Sequence, residues 1–270
     1  MAKRTPEGPP PPPAVQKLRL RYTKRGRLRF TSHRDIARAF ERALRRAQVP
    51  MAYSAGFSPH PKISWVGAAP TGVASEAEYV EISLAVRVDL EQLRTALDAS
   101  LPDGIDVVDV VEAPAGTSLP DRVQASQWQV RLPEVPLETA ERAVASFLAA
   151  PEVLVQRLVK DGVRTLDARA AVVDARVAPG VQVPGCATLH MVVRHVTPAV
   201  RPDDVLSGLR LVADLETPVP PAATRVRQGP LTETGEVGDP FAPDRAQAHG
   251  PTRQDADPEQ AAAGADTSRG

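Results

Sequence analysis

The chain has 270 residues, 42% of them apolar, and its 33 Lys+Arg balance 33 Asp+Glu to a formal net charge of zero. That apolar content supports a buried core and excludes a fully disordered chain, while no run approaches the roughly 18 apolar residues of a membrane-spanning helix. One cysteine, Cys186, excludes an intramolecular disulfide and a thiolate metal cluster, and Met1-Ala2-Lys3-Arg4 followed by prolines holds no apolar export segment, so a cytoplasmic protein is expected.

Residues 1–14, with the run Pro9 to Pro13, read as a disordered Pro-rich arm. From Lys17 to Tyr22 the chain alternates, Leu18, Leu20 and Tyr22 on one face and Lys17, Arg19 and Arg21 on the other. Lys24-Arg25-Gly26 supplies a turn and Arg27-Leu28-Arg29-Phe30 alternates again, which predicts a hairpin with an apolar face and an arginine face. Ser32 with Asp35 three residues on caps a helix from His33 to about Gln48. Its apolar stripe is Ile36, Phe40, Ala43, Leu44 and Ala47, and Arg34, Arg38, Arg42, Arg45 and Arg46 lie opposite. Ser54 to Pro61 reads as loop, Ile63–Gly67 and Glu78–Val86 as strands, Asp89–Leu101 as a helix and Ile105–Val111 as a strand.

Leaving the extra hairpin strand aside, this order is β-α-β-β-α-β, the split βαβ of a ferredoxin-like domain. A second segment nearly repeats it. Strands are expected at Trp128–Leu132, Val153–Leu158, Val163–Val177, Thr188–Val196 and Ala223–Val226, with helices at Leu137–Ala149 and Pro202–Ala213. The expected architecture is therefore α+β, two tandem ferredoxin-like domains over 15–115 and 122–229. An acidic, disordered tail over 230–270 closes the chain.

Charge is strongly segregated. Lys17 to Lys62 carries 13 Lys+Arg against Asp35 and Glu41, and Ile63 to Arg122 carries eleven acids against three arginines. Such blocks either mark a polyanion-binding surface or neutralise each other across the fold. Arg19, Arg21, Arg27 and Arg29, pointing away from the helices, with Arg34, Arg38, Arg45 and Lys62, form the candidate phosphate-binding set, because guanidinium forks suit phosphate oxygens. The alternative is a solvated face paired with acids such as Glu81. The arginine rows lack the aromatics on which an RNA-recognition sheet stacks bases, favouring backbone contacts.

In the segment Ser54-Ala55-Gly56-Phe57-Ser58-Pro59-His60-Pro61-Lys62, two prolines hold His60 and Gly56 permits a bend. The loop residues Ser54, Gly56, Phe57, Ser58 and His60 either present a histidine to a phosphate or a proton, or simply end strands around a core-plugging Phe57. His33 at the helix start is a second candidate imidazole, or an ordinary first-turn residue. His190 and His195 fall on opposite faces of a strand and cannot chelate one metal, and no metal site is expected. No Gly-rich phosphate loop and no Gly-x-Ser-x-Gly elbow is present.

Several stretches resemble one family: Arg21-Tyr22-Thr23-Lys24 with Gly26, Arg29-Phe30-Thr31-Ser32-His33-Arg34-Asp35, Glu41-Arg42-Ala43-Leu44-Arg45-Arg46-Ala47, Gly56 to Lys62, and Gly72-Val73-Ala74-Ser75-Glu76 with Glu78-Tyr79. The chain is similar over about residues 17–228 to the bacterial radical-SAM-linked family, a domain of unknown function found alone or fused behind a B12-binding radical S-adenosylmethionine enzyme. The resemblance implies an accessory role in that enzyme's pathway. Standalone members are often encoded near RNA-processing and ribosome-related genes. S-adenosylmethionine and an iron–sulfur cluster would belong to the partner enzyme only, since this chain lacks the three-cysteine motif. Asn stands more often in the family where this chain has Ser58.

Three functions follow as alternatives. The first is a non-catalytic accessory that binds RNA or a ribosomal substrate for a radical S-adenosylmethionine enzyme, with no membrane partner. The others are a protein-binding adaptor, and an acid/base enzyme in which His33 and His60 act on an anionic, nucleotide-like substrate.

Overall fold

The computed structural model describes residues 11–160, 162–179 and 186–248. Most of the expected N-terminal arm, and the tail beyond 248, lie outside them. The first half runs β1 (Gln16–Lys24), α1 (His33–Arg46), β2 (Ile63–Val66), β3 (Ala74–Leu84), α2 (Leu90–Asp98) and β4 (Val107–Glu112). All its pairings are antiparallel, giving the spatial order β4-β1-β3-β2.

The second half runs β5 (Ala125–Leu132), α3 (Leu137–Ala149), β6 (Leu154–Val159), β7 (Gly162–Asp167), the single turn α4 (Ala168–Ala171), β8 (Val172–Pro179), β9 (Ala187–Arg194), α5 (Pro202–Ala213) and β10 (Ala222–Gly229). Here the order is β10-β5-β9-β8, with β6 and β7 set apart as a hairpin. Where one long strand was expected over 163–177, α4 interrupts it, because the Asp167 carboxylate accepts the Arg169 and Val153 N–H groups and caps the turn.

The halves share one sheet. β2 ends at Val66, and the edge of β3 beyond it pairs in parallel with β10, Thr224 opposite Ala74 and Arg225 opposite Ser75. The protein is thus α+β with an eight-stranded mixed sheet. Just before this junction β3 bulges: from Tyr22 to Lys24 β1 advances two residues while its partners on β3 run from Glu78 to Ser75. The extra residue returns Ser75 to the face of Glu78 and Tyr22.

Burial follows the alternation. Leu18, Leu20 and Tyr22 of β1 and Val80, Ile82 and Leu84 of β3 pack under Ile36, Phe40, Ala43 and Leu44 of α1 and Leu93 and Leu97 of α2. In the other half, Trp128, Val130, Leu189, Met191 and Val193 pack under Ala140, Val144 and Phe147 of α3 and Val205 and Leu209 of α5. With the bulge in place these four helices form one layer over one face. Each fully buried Leu, Val or Phe contributes about 1.5–3 kcal/mol.

Three expectations need correction. The alternation of Arg27-Leu28-Arg29-Phe30 forms a 3-10 helix over Gly26–Phe30, not a strand. β1 already has β3 on one side and β4 on the other, so no ladder position is left for a hairpin partner. Secondly, residues 230–248 are ordered and include α6 (Ala242–Ala248). Phe241 is fully buried beside Tyr79, their ring centroids 5.2 Å apart, among Val66, Val111, Leu119 and Val123. Thirdly, the arginine face of β1 is largely covered, with Lys17 and Arg21 left only partly exposed. The 113–123 connection and the 230–248 segment cover it, and Arg19 is 0% exposed. Its guanidinium donates to both Asp244 carboxylate oxygens at 2.7 Å, to Glu81 at 2.9 Å and to Thr117. Such a charge is tolerated because every acid around it is a partner.

Candidate nucleic-acid interface

With Arg19 sequestered, most of the first-half candidate residues that face solvent lie on and around α1. Ser32 caps the helix, accepting the Asp35 N–H at 3.2 Å while its hydroxyl donates to the Asp35 carboxylate at 2.7 Å. Phe40 and Leu44 anchor the buried stripe, so Arg34, Arg38, Arg42 and Arg45, spaced by three and four residues, project together into solvent. Among the described residues only Arg38 has an acidic partner, Asp35 at 3.5 Å, an exposed pair of small energetic weight. Arg46 donates to the Ser100 carbonyl, and Arg34, Arg42 and Arg45 make no ion pair among the described residues.

The 3-10 turn places more of the candidate set beside the helix start. Arg27 is exposed, and the Arg29 guanidinium lies 4.6 Å from the ring centre of Phe30, which is 60% exposed. Arg25, between them and β1, is paired with Glu76 and Asp106. His33 stands edge-on to Trp65 at 5.2 Å, and Trp65 packs against Phe40 and Tyr22. Burial holds the Tyr22 hydroxyl well above its ordinary pKa, with Glu78 adding to the effect.

The loop before β2 is held by its own histidine. The His60 N–H donates to Ser54 Oγ at 3.2 Å, the same hydroxyl lies 2.9 Å from His60 Nδ1, and Nε2 makes no hydrogen bond among the described residues. Ser58 and Lys62 are exposed, and Gly56 takes φ +140 at the bend. Phe57 does not plug the core; it is 70% exposed. His33 contacts the third residue of β2, while His60 precedes the strand by three residues. No contact among the described residues joins the two imidazoles.

Arg21 is half-buried. It lines a cavity of about 260 Å³ with Tyr79, Arg227 and Asp239, and its Nε has no partner. Burial raises the Tyr79 hydroxyl pKa, which the Arg21 charge partly offsets.

Sequence reasoning missed the seam between the halves. There the buried Arg225 donates to Glu78 at 2.9 Å and sits 5.2 Å from the Trp128 ring centre. A cavity of about 410 Å³ opens beside it, lined also by Ser126 and His195. The Val123 carbonyl is 2.9 Å from His195 Nδ1, which therefore donates, and Nε2 accepts from Ser126 Oγ at 2.7 Å. Burial lowers the His195 pKa, although the bond to Val123 acts against it. Alternation would place Arg225 and Arg227 on one face; the bulge between them, with Arg225 opposite Trp128 and Arg227 opposite Gln127, sends one to each face of β10, and no local pattern announces it. Among the described residues no three His, Cys, Asp or Glu are placed to hold a metal, and no helix is long and apolar enough to cross a membrane.

A family model described as an uncharacterised protein conserved in bacteria, DUF2344, matches residues 17–202. The chain belongs to that family. No curated protein sequence matches it. Two solved structures show faint similarity. One is DyPB from Rhodococcus jostii RHA1, at 14% identity and TM-score 0.18, over 74% of this chain and 84% of that one. The other is the encapsulated DyP-type peroxidase from Mycobacterium smegmatis, at 11% identity and TM-score 0.19, over 82% of this chain and 94% of that one. At such scores neither supports an argument about this family's chemistry.

Proposed function

We propose that this protein is a non-catalytic RNA-binding accessory of a partner radical S-adenosylmethionine enzyme, acting in the bacterial cytoplasm on RNA or a ribosomal substrate. The observation that carries RNA binding is the α1 face: four solvent-facing arginines have, among the described residues, a single weak acidic partner, on a helix that begins three residues after the exposed Phe30 ring. Arginine at that spacing neutralises successive phosphates, and an exposed ring next to a cation offers a base a stacking platform. The loop from Ser54 to Lys62 adds a second exposed ring, Phe57, and the Nε2 of His60. The partner enzyme is inferred from the family resemblance, and a lone cysteine leaves the iron–sulfur chemistry to that partner. Each half is read as a ferredoxin-like unit, over 15–115 and 122–229, on the strength of its repeated strand order.

The test is fluorescence anisotropy of a labelled oligouridine of about 20 nucleotides over a range of salt, comparing the parent with R34Q/R38Q/R42Q/R45Q. For single strands log affinity falls by about 0.7 per phosphate contact for each tenfold rise in salt, so losing four contacts flattens the slope by about 3. Equal slopes for parent and variant would overturn the reading.

A further inference from the structure

The face of the sheet turned away from the helices is closed in the first half and open in the second. In the first half Phe241 and Asp244 of the C-terminal segment cover β1 and β3. Across β10, β5, β9 and β8 that segment reaches only one end, where Leu231 and Val237 pack on Ala125 and Val192. The register fixes what the remaining surface displays. One row runs straight across the four strands as Thr224, Gln129, His190 and Arg176. Two residues along, three on β10 where it bulges, lie Arg227, Gln127, Val192 and Asp174; in the other direction come Ala222, Arg131, the buried Thr188 and Ala178. Arg194, opposite Ala125, ends the same face of β9.

Arg131, Arg176, Arg194 and Arg227 are all exposed, and none makes an ion pair or side-chain hydrogen bond among the described residues. Asp174 is the one acid these strands place on the face, and Glu236 of the C-terminal segment stands at its rim beside a cavity of about 450 Å³. The local field registers on His190. Burial lowers its pKa first, and the Arg176 charge lowers it further. At strand spacings near 4.8 Å the patch is about 14 Å wide, the span of several nucleotides.

We propose that this open sheet face is a second RNA-binding surface, in which the four arginines hold phosphates of a single strand while Gln127 and Gln129 meet base edges. The inference rests on the RNA-binding reading but not on the α1 site, which lies in the helix layer on the opposite side of the sheet. An acidic protein is the other polyanion to weigh. The face favours RNA because it carries no exposed aromatic or large aliphatic anchor, as a protein interface would at its centre, and Val192 is buried. Guanidinium and amide groups are instead the set that recognises phosphate oxygens and base edges.

Two surfaces back to back cannot share one short strand, so stoichiometry tests the proposal. Sedimentation of the full chain with a labelled oligouridine of about 6 nucleotides at low salt should give two strands per chain. R131Q/R176Q/R194Q/R227Q should bind one, and R34Q/R38Q/R42Q/R45Q should also bind one. A sheet-face variant that still binds two strands, or an α1 variant that binds none, overturns the second surface and leaves the first. A sheet-face variant that binds none, with an α1 variant that binds two, overturns the α1 reading and sustains this one. If the sheet-face variant binds RNA as the parent does but loses a polyglutamate probe, the face serves an acidic protein and the RNA proposal fails. Melting curves matching the parent's show that the exposed substitutions leave the fold intact.

Discussion

Asp244→Ala is the sharpest test of how the C-terminal segment is held. The Asp244 carboxylate is fully buried, takes two bonds from Arg19 at 2.7 Å and a third from Arg122 at 2.8 Å, and sits in the turn that seats Phe241. Removing it leaves the Arg19 guanidinium in a closed interior with only Glu81 and Thr117. Breaking a buried ion pair from one side costs about 3–5 kcal/mol; because Glu81 still compensates the charge, the lower end, about 3 kcal/mol, is expected. For a chain of this size each kcal/mol lowers Tm by about 2–4 °C, so the midpoint should fall by about 6–12 °C. Circular dichroism melts of parent and variant measure it. Glu91→Ala, which removes an exposed pair with Arg94, serves as the surface control and should shift the melt far less. Hydrogen exchange across 230–248 should rise in D244A before the rest of the sheet responds. A midpoint within about 2 °C of the parent would falsify the claim that this segment is part of the core.

Other expectations concern separate features. F30A and F57A should leave the melt unchanged while weakening oligouridine binding by about 1–3 kcal/mol per stacked base; unchanged binding by both would remove the stacking part of the proposal. His190 and His195 both have pKa values lowered from 6.5, so the folded state resists their protonation. Their contribution is complete above pH 6.5 and is lost as pH falls below it, because the unfolded chain then binds more protons. Urea unfolding of parent and H190Q/H195Q should show a flatter dependence below pH 6.5 in the variant, and parallel curves would contradict the linkage. Gly229→Ala places a Cβ 2.2 Å from the Gly238 carbonyl oxygen, a backbone atom that cannot swing aside. Limited proteolysis should then cut within 230–248 far faster than in the parent; an unchanged cleavage rate would mean that the close approach is not required.

The elements of α1 were legible because every signal agreed: Ser32 and Asp35 at the cap, one apolar stripe and one basic stripe. The alternation of β1 was equally plain, and its apolar face was read correctly. What lay against its arginine face was not, because Asp244 is 225 residues away from Arg19 in sequence. A segment rich in Ala, Gly, Asp and Pro offers no periodicity, and Phe241 is its one aromatic anchor. Of the two readings of the 54–62 loop, the one that buries Phe57 fails, because the Ser54–His60 contacts close the loop without it and the ring stands in solvent. The single sheet was hidden for a different reason. It depends on β10 meeting β3 where β2 has stopped, and no local pattern records which strand edges remain free.

The additional residue in β3 has a topological meaning. Side chains alternate, so an uninterrupted ladder from Tyr22 to Lys24 would turn Ser75 to the opposite face, and Arg225, its neighbour on β10, with it. The second half would then meet the first upside down, with α3 and α5 on the side now held by the C-terminal segment. One inserted amino acid therefore sets the parity of the whole molecule. Shortening this stretch by a single position should act not as a local defect but as an inversion that the chain cannot satisfy, leaving the two halves folded and their shared edge unzipped.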